Sequence, residues 1–322
     1  MDTLAFLASA VASGVVTYLF IPWLIRSLRG TSLVGKDLNK RERPMVPEMG
    51  GIGVILGFYV GVAVITIVAS HEVLAIIGPF YYVSLSAALG AGVVGLFDDM
   101  FRFRQRTKAI VPFVLALPLG AAVFSSGDVY FLGLNIGLLM VLVVPLGVTS
   151  AANAANMLEG FNGLGAGLMI IISVALIALS VLQGAQGGLF ILFPLVGALV
   201  AFFWFNRFPA KVFPGDSMTL FAGAAIACAA IISFPPLKTQ GALLFTPMIA
   251  EFFLKARGRF KGENYGTVDS TGRLGWDGPI ESLSHILMRW LRPTEVELVL
   301  SLFAIEILVA LAVIAMAVAG VV

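Results

Sequence analysis

Charge is scarce in this chain: Asp, Glu, Lys and Arg together make up 12% of its 322 residues, about half of what soluble domains carry. With 59% hydrophobic residues and a mean hydropathy of +1.01, that shortage excludes an ordinary soluble domain. Cysteine is nearly absent. The one thiol, Cys228, stands in an apolar run, so an intrachain disulfide is excluded and a small buried hydrophobe is expected there. Histidine is almost as rare, with two copies. No Cys or second His stands near His285, which argues against a zinc site of the usual kind. A basic leader is missing too: Asp2 precedes the first apolar stretch, Leu4 to Ile25, whose length of about 22 residues exceeds a signal-peptide core. The stretch is expected to be a retained helix. The chain shows no internal repeat and no Asp-Gly-x-x-Ala-Arg signature.

What is abundant is long apolar sequence. Segments able to cross a hydrocarbon core of about 30 Å fall near 4–25, 50–69, 79–97, 109–124, 131–148, 164–182, 189–205, 218–234, 241–254 and 295–321. The expected fold is all-α, a single polytopic membrane domain over 1–322 with about ten transmembrane helices and both termini on one side. Of the 20 Lys and Arg residues, every one but Lys238 falls in loops on one face. The positive-inside rule makes that face cytoplasmic and the termini external. The outer loops at 70–72, 125–128 and 183–188 are short and plain. Almost all polar chemistry therefore lies on the cytoplasmic face, where the only sizeable loop, 255–292, has room for a small hairpin. Its end carries Ile280, Leu283, Leu287 and Trp290 at helical spacing, the pattern of an interfacial amphipathic helix.

Four polar stretches share this face. An apolar helix runs into Asp98 and Asp99 and then into Arg102, Arg104, Arg106 and Lys108. Carboxylates are disfavoured at a helix C-terminus, so the pair is either a solvated helix end or is offset by these bases or a metal ion. Residues 153–167 join the fifth and sixth helices with three Asn, one Glu, several Gly and no base. Asn153 and Asn156, three apart, share a helical face. Asp216 begins the eighth helix, where it fits an N-cap and equally points a carboxylate into the mouth of the bundle. The basic first loop ends in Pro47-Glu48-Met49-Gly50. Carboxylates, amides at 153, 156 and 162, and the guanidinium groups of Arg257 and Arg259 on one membrane face describe a magnesium–phosphate site. Mg²⁺ takes one or two protein oxygens plus substrate phosphates, and arginine pairs bidentately with phosphate. A site at the lipid boundary admits one lipidic and one cytosolic substrate.

Gly95-Leu96-Phe97-Asp98-Asp99, Asn153-Ala-Ala-Asn156 with Gly160-Phe-Asn162-Gly, and Val212-Phe213-Pro-Gly215-Asp216 resemble, together and over essentially the whole chain, the polyprenyl-phosphate N-acetylhexosamine-1-phosphate transferases. The dolichol-type UDP-GlcNAc branch is the most similar, with Arg257-Gly258-Arg259 in place of the histidine-rich last loop of the bacterial cell-wall branch. The resemblance implies transfer of GlcNAc-1-phosphate from UDP-GlcNAc, or another UDP-N-acetylhexosamine, to a polyprenyl or dolichyl phosphate, with release of UMP. It implies Mg²⁺, with Mn²⁺ as a substitute, on Asn156 and Asp216. Asp98, Asp99 and Lys108 would flank the phosphates as catalytic residues, and Asn162 and Phe213 would hold the uracil. Arg257 and Arg259 would grip the sugar diphosphate, Glu48 would approach the nucleotide, and Asn153 and Gly160 would join the substrate-binding residues. Glu159 departs from the alanine of the dolichol branch and has no assigned role. Because the second pKa of the lipid phosphate, about 6, leaves it mostly ionised at neutral pH, a direct displacement is expected rather than an aspartyl-phosphate. The expected setting is a prokaryotic, archaeal-like cell membrane rather than the endoplasmic reticulum. No nucleic-acid partner is expected, and a homodimer is left open. The rival reading, an ion-coupled transporter, calls for midplane carboxylates between repeats, whereas these cluster at one boundary.

Overall fold

In lipid a backbone must satisfy its own hydrogen bonds, so the apolar runs of this chain form helices. The structure, a computed structural model, describes residues 3–69, 71–131, 133–233 and 235–322, with 71–77 described by their backbone alone. Asp2, Ser70 of the outer loop expected at 70–72, Leu132 and Phe234 lie outside the described residues. The order is α1 (Thr3–Leu28), a hairpin of β1 (Val34–Lys36) and β2 (Met45–Pro47), α2 (Gly51–Val68), α3 (His71–Phe101) and α4 (Gln105–Ser125). A second hairpin, β3 (Tyr130–Phe131) with β4 (Leu134–Asn135), leads through a 3-10 turn at Gly137–Leu139 into α5 (Met140–Met157). Then come α6 (Leu164–Gln183), α7 (Leu189–Asn206), α8 (Gly215–Ile232), α9 (Lys238–Leu244) and α10 (Thr246–Arg257). The last loop holds the hairpin of β5 (Thr267–Val268) and β6 (Leu274–Gly275) and the helix α11 (Leu283–Leu291), and α12 (Glu295–Val318) follows.

Among the described residues nine helices are long and apolar enough to cross a membrane. Two expectations change. The ninth apolar segment is two helices, because Pro247 lacks the N–H that would carry the ladder of α9 onward; α9 stops at Leu244 and α10 starts anew at Thr246, with Pro247 in its first turn. The fifth segment starts later than 131, since Gly133 and Gly137 take positive φ and the chain forms a hairpin and turn first. Helix α5 consequently runs on to Met157, and α3 to Phe101. Asn153 and Asn156 thus share a helical face, and Asp98 and Asp99 stand at a helix C-terminus, as expected.

Helix α8 is the centre of the bundle, with α3 and α5 packed against it and Met218, Phe221 and Ile226 fully buried. Gly95 lets α3 approach so closely that a Cβ there would collide with the Asp216 carbonyl. At the same end of the bundle four loops are stitched together. Gly50 N–H donates to the Phe213 carbonyl (2.9 Å), Gly51 N–H to that of Pro214 (2.8 Å) and Phe213 N–H to that of Pro47 (2.7 Å). Asn39 Nδ2 donates to the Gly160 carbonyl (2.7 Å), and Asn264 Nδ2 to those of Met157 (2.9 Å) and Glu159 (2.6 Å). Helix α11 covers the last loop. It buries His285, whose ring stacks on Trp276 at 3.8 Å, and exposes Trp290.

Candidate active site

The C-terminal end of α3 and the starts of α4 and α8 converge with the end of α5 on one ammonium group. Lys108 Nζ, in the first turns of α4, donates to Asp98 Oδ2 at 3.0 Å and to Asp216 Oδ2 at 2.7 Å. Asn156 Nδ2 reaches the same Asp216 oxygen at 3.1 Å, while its Oδ1 accepts from Thr219 Oγ1 at 3.2 Å. Asn153 Nδ2 donates to the Lys108 carbonyl (3.2 Å) and that of Thr149 (2.9 Å), which fixes α4 against α5. The helical spacing of the two asparagines therefore works as expected, one bracing the backbone of Lys108 and the other facing Asp216.

Asp99 does something else. Its Oδ1 accepts the Asp216 N–H at 2.6 Å and its Oδ2 the Ser217 N–H at 3.2 Å. It thereby satisfies two of the orphan donors that every helix N-terminus leaves and sits where the helix dipole favours an anion. Gly215 makes the approach feasible: with φ +69° it turns the chain into α8, and a Cβ there would strike the Asp99 carboxylate. Asp99 caps α8 from a neighbouring helix, so Asp216 is not the N-cap its position first suggests. Asp98 also accepts the Phe103 N–H, which closes the turn between α3 and α4.

With Asp99 answered by the helix terminus, Asp98 and Asp216 share the one charge of Lys108. The two carboxylates are hard oxygen donors and leave residual negative charge, a set that suits Mg²⁺ when substrate phosphates and water supply the other ligands, while the Asn156 oxygen is engaged by Thr219. No group of three or more Asp, Glu, His or Cys side chains placed to hold a metal by themselves exists among the described residues.

The other expected residues are placed differently. Asn162 is buried away from the cluster: its Nδ2 donates to Asp37 Oδ2 (3.0 Å) and its N–H to Glu295 Oε1 (2.8 Å), and Lys40 joins both carboxylates. Glu48 and the half-buried Phe213 lie side by side through the Pro47 and Gly50 bonds to Phe213. Burial and the charge of Asp99 push the Glu48 carboxyl up, with Arg102 opposing. Arg257 and Arg259, two residues apart, do not share an extended strand. Helix α10 ends at Arg257, whose guanidinium donates to the Ile280 carbonyl, and Arg259 follows in a left-handed turn with φ +55°. Gly160 has φ +150° and leaves room for Tyr265 and Asn264.

Sequence reasoning missed the network of Asp37, Lys40 and Glu295, whose partners lie over a hundred residues away, and it missed a groove. A cavity of about 1010 Å³ runs along α5, α8, α9 and α10, from Asn153, Asn156 and Glu159 at the polar end to Phe131 and Lys238 at the other. Its walls are apolar, with Val144, Ala227, Phe245, Met248 and Phe252 among them. The break between α9 and α10 forms part of one wall; Pro247 was the sequence signal for it.

Glu159 stands at the polar end with its Oε2 buried and unpartnered. Burial pushes its carboxyl up to about 7, although the N–H groups of Gly160 and Gly165 pull the other way. A raised folded-state value means that the native protein keeps a proton which the unfolded chain releases. Stability on this account is full below the ordinary value of about 4.5 and falls as pH rises towards about 7. Glu159→Gln removes that loss. Its melting temperature relative to wild type is expected to be higher at pH 8 than at pH 5, and equal differences at the two pH values would remove the buried acid from the account.

A bundle of membrane-length helices that gathers carboxylates, an amide and a lysine at one end, with the amide of Asn156 also lining an apolar groove, is the arrangement of a membrane enzyme. The comparisons agree. Glycosyl transferase family 4 matches residues 80–234. Over 317 residues, 95% of each chain, the sequence is 38% identical to the Saccharolobus solfataricus protein named putative UDP-N-acetylglucosamine–dolichyl-phosphate N-acetylglucosaminephosphotransferase. It is 27% identical over 308 residues, 79% of this chain and 68% of the other, to the Saccharomyces cerevisiae protein named UDP-N-acetylglucosamine–dolichyl-phosphate N-acetylglucosaminephosphotransferase. It is also 29% identical over 246 residues, 71% of this chain and 74% of the other, to the phospho-N-acetylmuramoyl-pentapeptide-transferase of a Geobacillus strain. The chain belongs to glycosyl transferase family 4.

Proposed function

We propose that this protein transfers N-acetylglucosamine-1-phosphate from UDP-GlcNAc to a polyprenyl or dolichyl phosphate, giving the lipid diphosphate sugar and UMP. The observation that carries the reading is that Asn156, which lines the polar end of the groove, is bonded to Asp216 of the Asp98–Lys108–Asp216 cluster. A phosphate-handling centre there meets a channel shaped for a long apolar chain. Asp216 and Asp98 would hold Mg²⁺, which would neutralise phosphate charge, and Asn156 would join them by turning its amide so that the oxygen, rather than the NH2 group, faces Asp216. Lys108 supplies a second positive charge beside the reacting phosphates and holds the two carboxylates in register. Phosphoryl transfer of this kind rests on positioning and charge neutralisation, and the acceptor phosphate is already ionised, so no strong base is required. Asp99 shapes the site without touching substrate. Phe213 and Glu48, pinned together, form the face for the nucleotide, and Arg259 the reach towards the donor diphosphate. The purified protein should release UMP only when UDP-GlcNAc, prenyl phosphate and Mg²⁺ are all present; release of UDP instead would overturn the reaction class.

We place this end of the bundle in the cytoplasm of a prokaryotic, archaeal-like cell, on the distribution of bases and the Saccharolobus relative. Ser270 is exposed in the turn between β5 and β6. A cysteine there should react with membrane-impermeant thiol reagents only after cells are opened, and labelling of intact cells would reverse the orientation.

A further inference from the structure

Two ammonium groups line the groove, one at each end, and they are held very differently. Lys238, at the end away from the cluster, donates to both oxygens of Asp128 (2.7 and 2.8 Å) and to the Tyr130 carbonyl (2.9 Å). Its three donors are spent. Lys255 stands in the last turn of α10, with 13% of its side chain exposed, and lines the same groove as Asn153, Asn156, Glu159, Asn264 and Tyr265. Its Nζ lies 3.7 Å from Glu251 Oε1 and 3.4 Å from the Gly262 carbonyl, both long for hydrogen bonds to an ammonium. Glu251 is anchored elsewhere, its Oε2 accepting from Ser282 Oγ (3.1 Å) and the Leu283 N–H (2.8 Å). Three carboxylates, Glu251, Glu263 and Glu281, act on the lysine's single charge, and Glu263 lines the groove beside it, so a phosphate would have to displace them from the ammonium.

We propose that Lys255 is the residue that binds the acceptor's phosphate monoester at the polar end of the groove. The inference rests on the transferase reading above and adds to it the point at which the lipid headgroup is held. An apolar channel selects a long hydrocarbon chain, and an ammonium with loosely used donors at its polar end selects an anion attached to that chain. Lys255 and Asn156 line the same groove, so a phosphate drawn to Lys255 stands beside the cluster that would hold the donor. The other phosphate source, the diphosphate of the UDP-sugar, is distinguished by which substrate's KM moves. Glu251 sets the ammonium in place, since its fixed carboxylate stands one helical turn before Lys255.

The test uses the full-length protein in detergent with farnesyl phosphate, farnesol and UDP-GlcNAc. In Lys255→Met the KM for farnesyl phosphate should rise about 10- to 100-fold, the range expected when a hydrogen bond to a charged group is lost. The KM for UDP-GlcNAc should stay within about twofold, and Lys255→Arg should restore most of the loss because charge at this point is what counts. A second readout needs no turnover: without UDP-GlcNAc, farnesyl phosphate should raise the wild-type melting temperature more than farnesol does, and Lys255→Met should abolish that difference. Lys255→Gln carries both measurements if the methionine variant does not fold. A variant indistinguishable from wild type in acceptor KM and in the farnesyl phosphate shift, or one that raises the donor KM instead, overturns the assignment. If the wild type itself neither transfers to farnesyl phosphate nor gains stability from it, the transferase reading fails, and the assignment with it.

Discussion

Asp216→Asn should lower kcat/KM by about 100-fold or more while the protein still folds, because an anionic ligand is replaced by a neutral one where hydrogen bonds to charged groups contribute about 1.5–3 kcal/mol each. The structure removes the bland alternative. Had Asp216 been an N-cap, asparagine would have served nearly as well; instead Asp99 takes the N–H groups of Asp216 and Ser217. The converse substitution separates the adjacent acids. Asp99→Asn should act chiefly on stability, since one of its oxygens becomes an amide donor facing the N–H groups of α8. Activity assays and thermal unfolding of both variants check the pair. A fully active Asp216→Asn protein would remove Asp216 from the metal site and from the reaction.

Lys108→Met should be the more severe change, because Asp98 and Asp216 would then face one another without the ammonium that lies 3.0 and 2.7 Å from them. Breaking a buried ion pair from one side costs about 3–5 kcal/mol. The carboxylates keep 12% and 22% of their side-chain exposure, which lowers the stability loss to about 2 kcal/mol. Activity should fall about 1,000-fold, as Lys108 both holds the acids and faces the phosphates, a loss of about 4 kcal/mol in barrier terms. Lys108→Arg should recover stability more than rate, since it keeps the charge but spreads it over a planar fork. Equal recovery of both would reduce Lys108 to a structural cation.

Much of this was legible because the physics is local. Apolar runs reported the helices, Asn153 and Asn156 reported a shared face by their spacing, and the abrupt Asp98–Asp99 pair marked the site. What stayed hidden depends on partners far along the chain. Nothing near Asp99 tells that it caps a helix 117 residues away, with a bond to Asp216 N–H. Nothing near Asn162 tells that Asp37, 125 residues earlier, accepts from its amide. The spacing of Arg257 and Arg259 reports no shared face, because helix α10 continues through Arg257 and Arg259 follows in a left-handed turn. The groove escaped notice because Pro247, in an otherwise apolar stretch, reads as a tolerated membrane proline until α9 and α10 are seen to part around it.

The account's central claim is that donor cluster and lipid groove form one site, in which the acceptor phosphate attacks the donor directly. Isotope exchange tests this most directly, by incubating the enzyme with UDP-GlcNAc, Mg²⁺ and labelled UMP, with and without prenyl phosphate. Label should enter UDP-GlcNAc only when prenyl phosphate is present, because reversal requires the lipid diphosphate product. Exchange at a similar rate without any acceptor would contradict the claim and establish a covalent phospho-enzyme in its place.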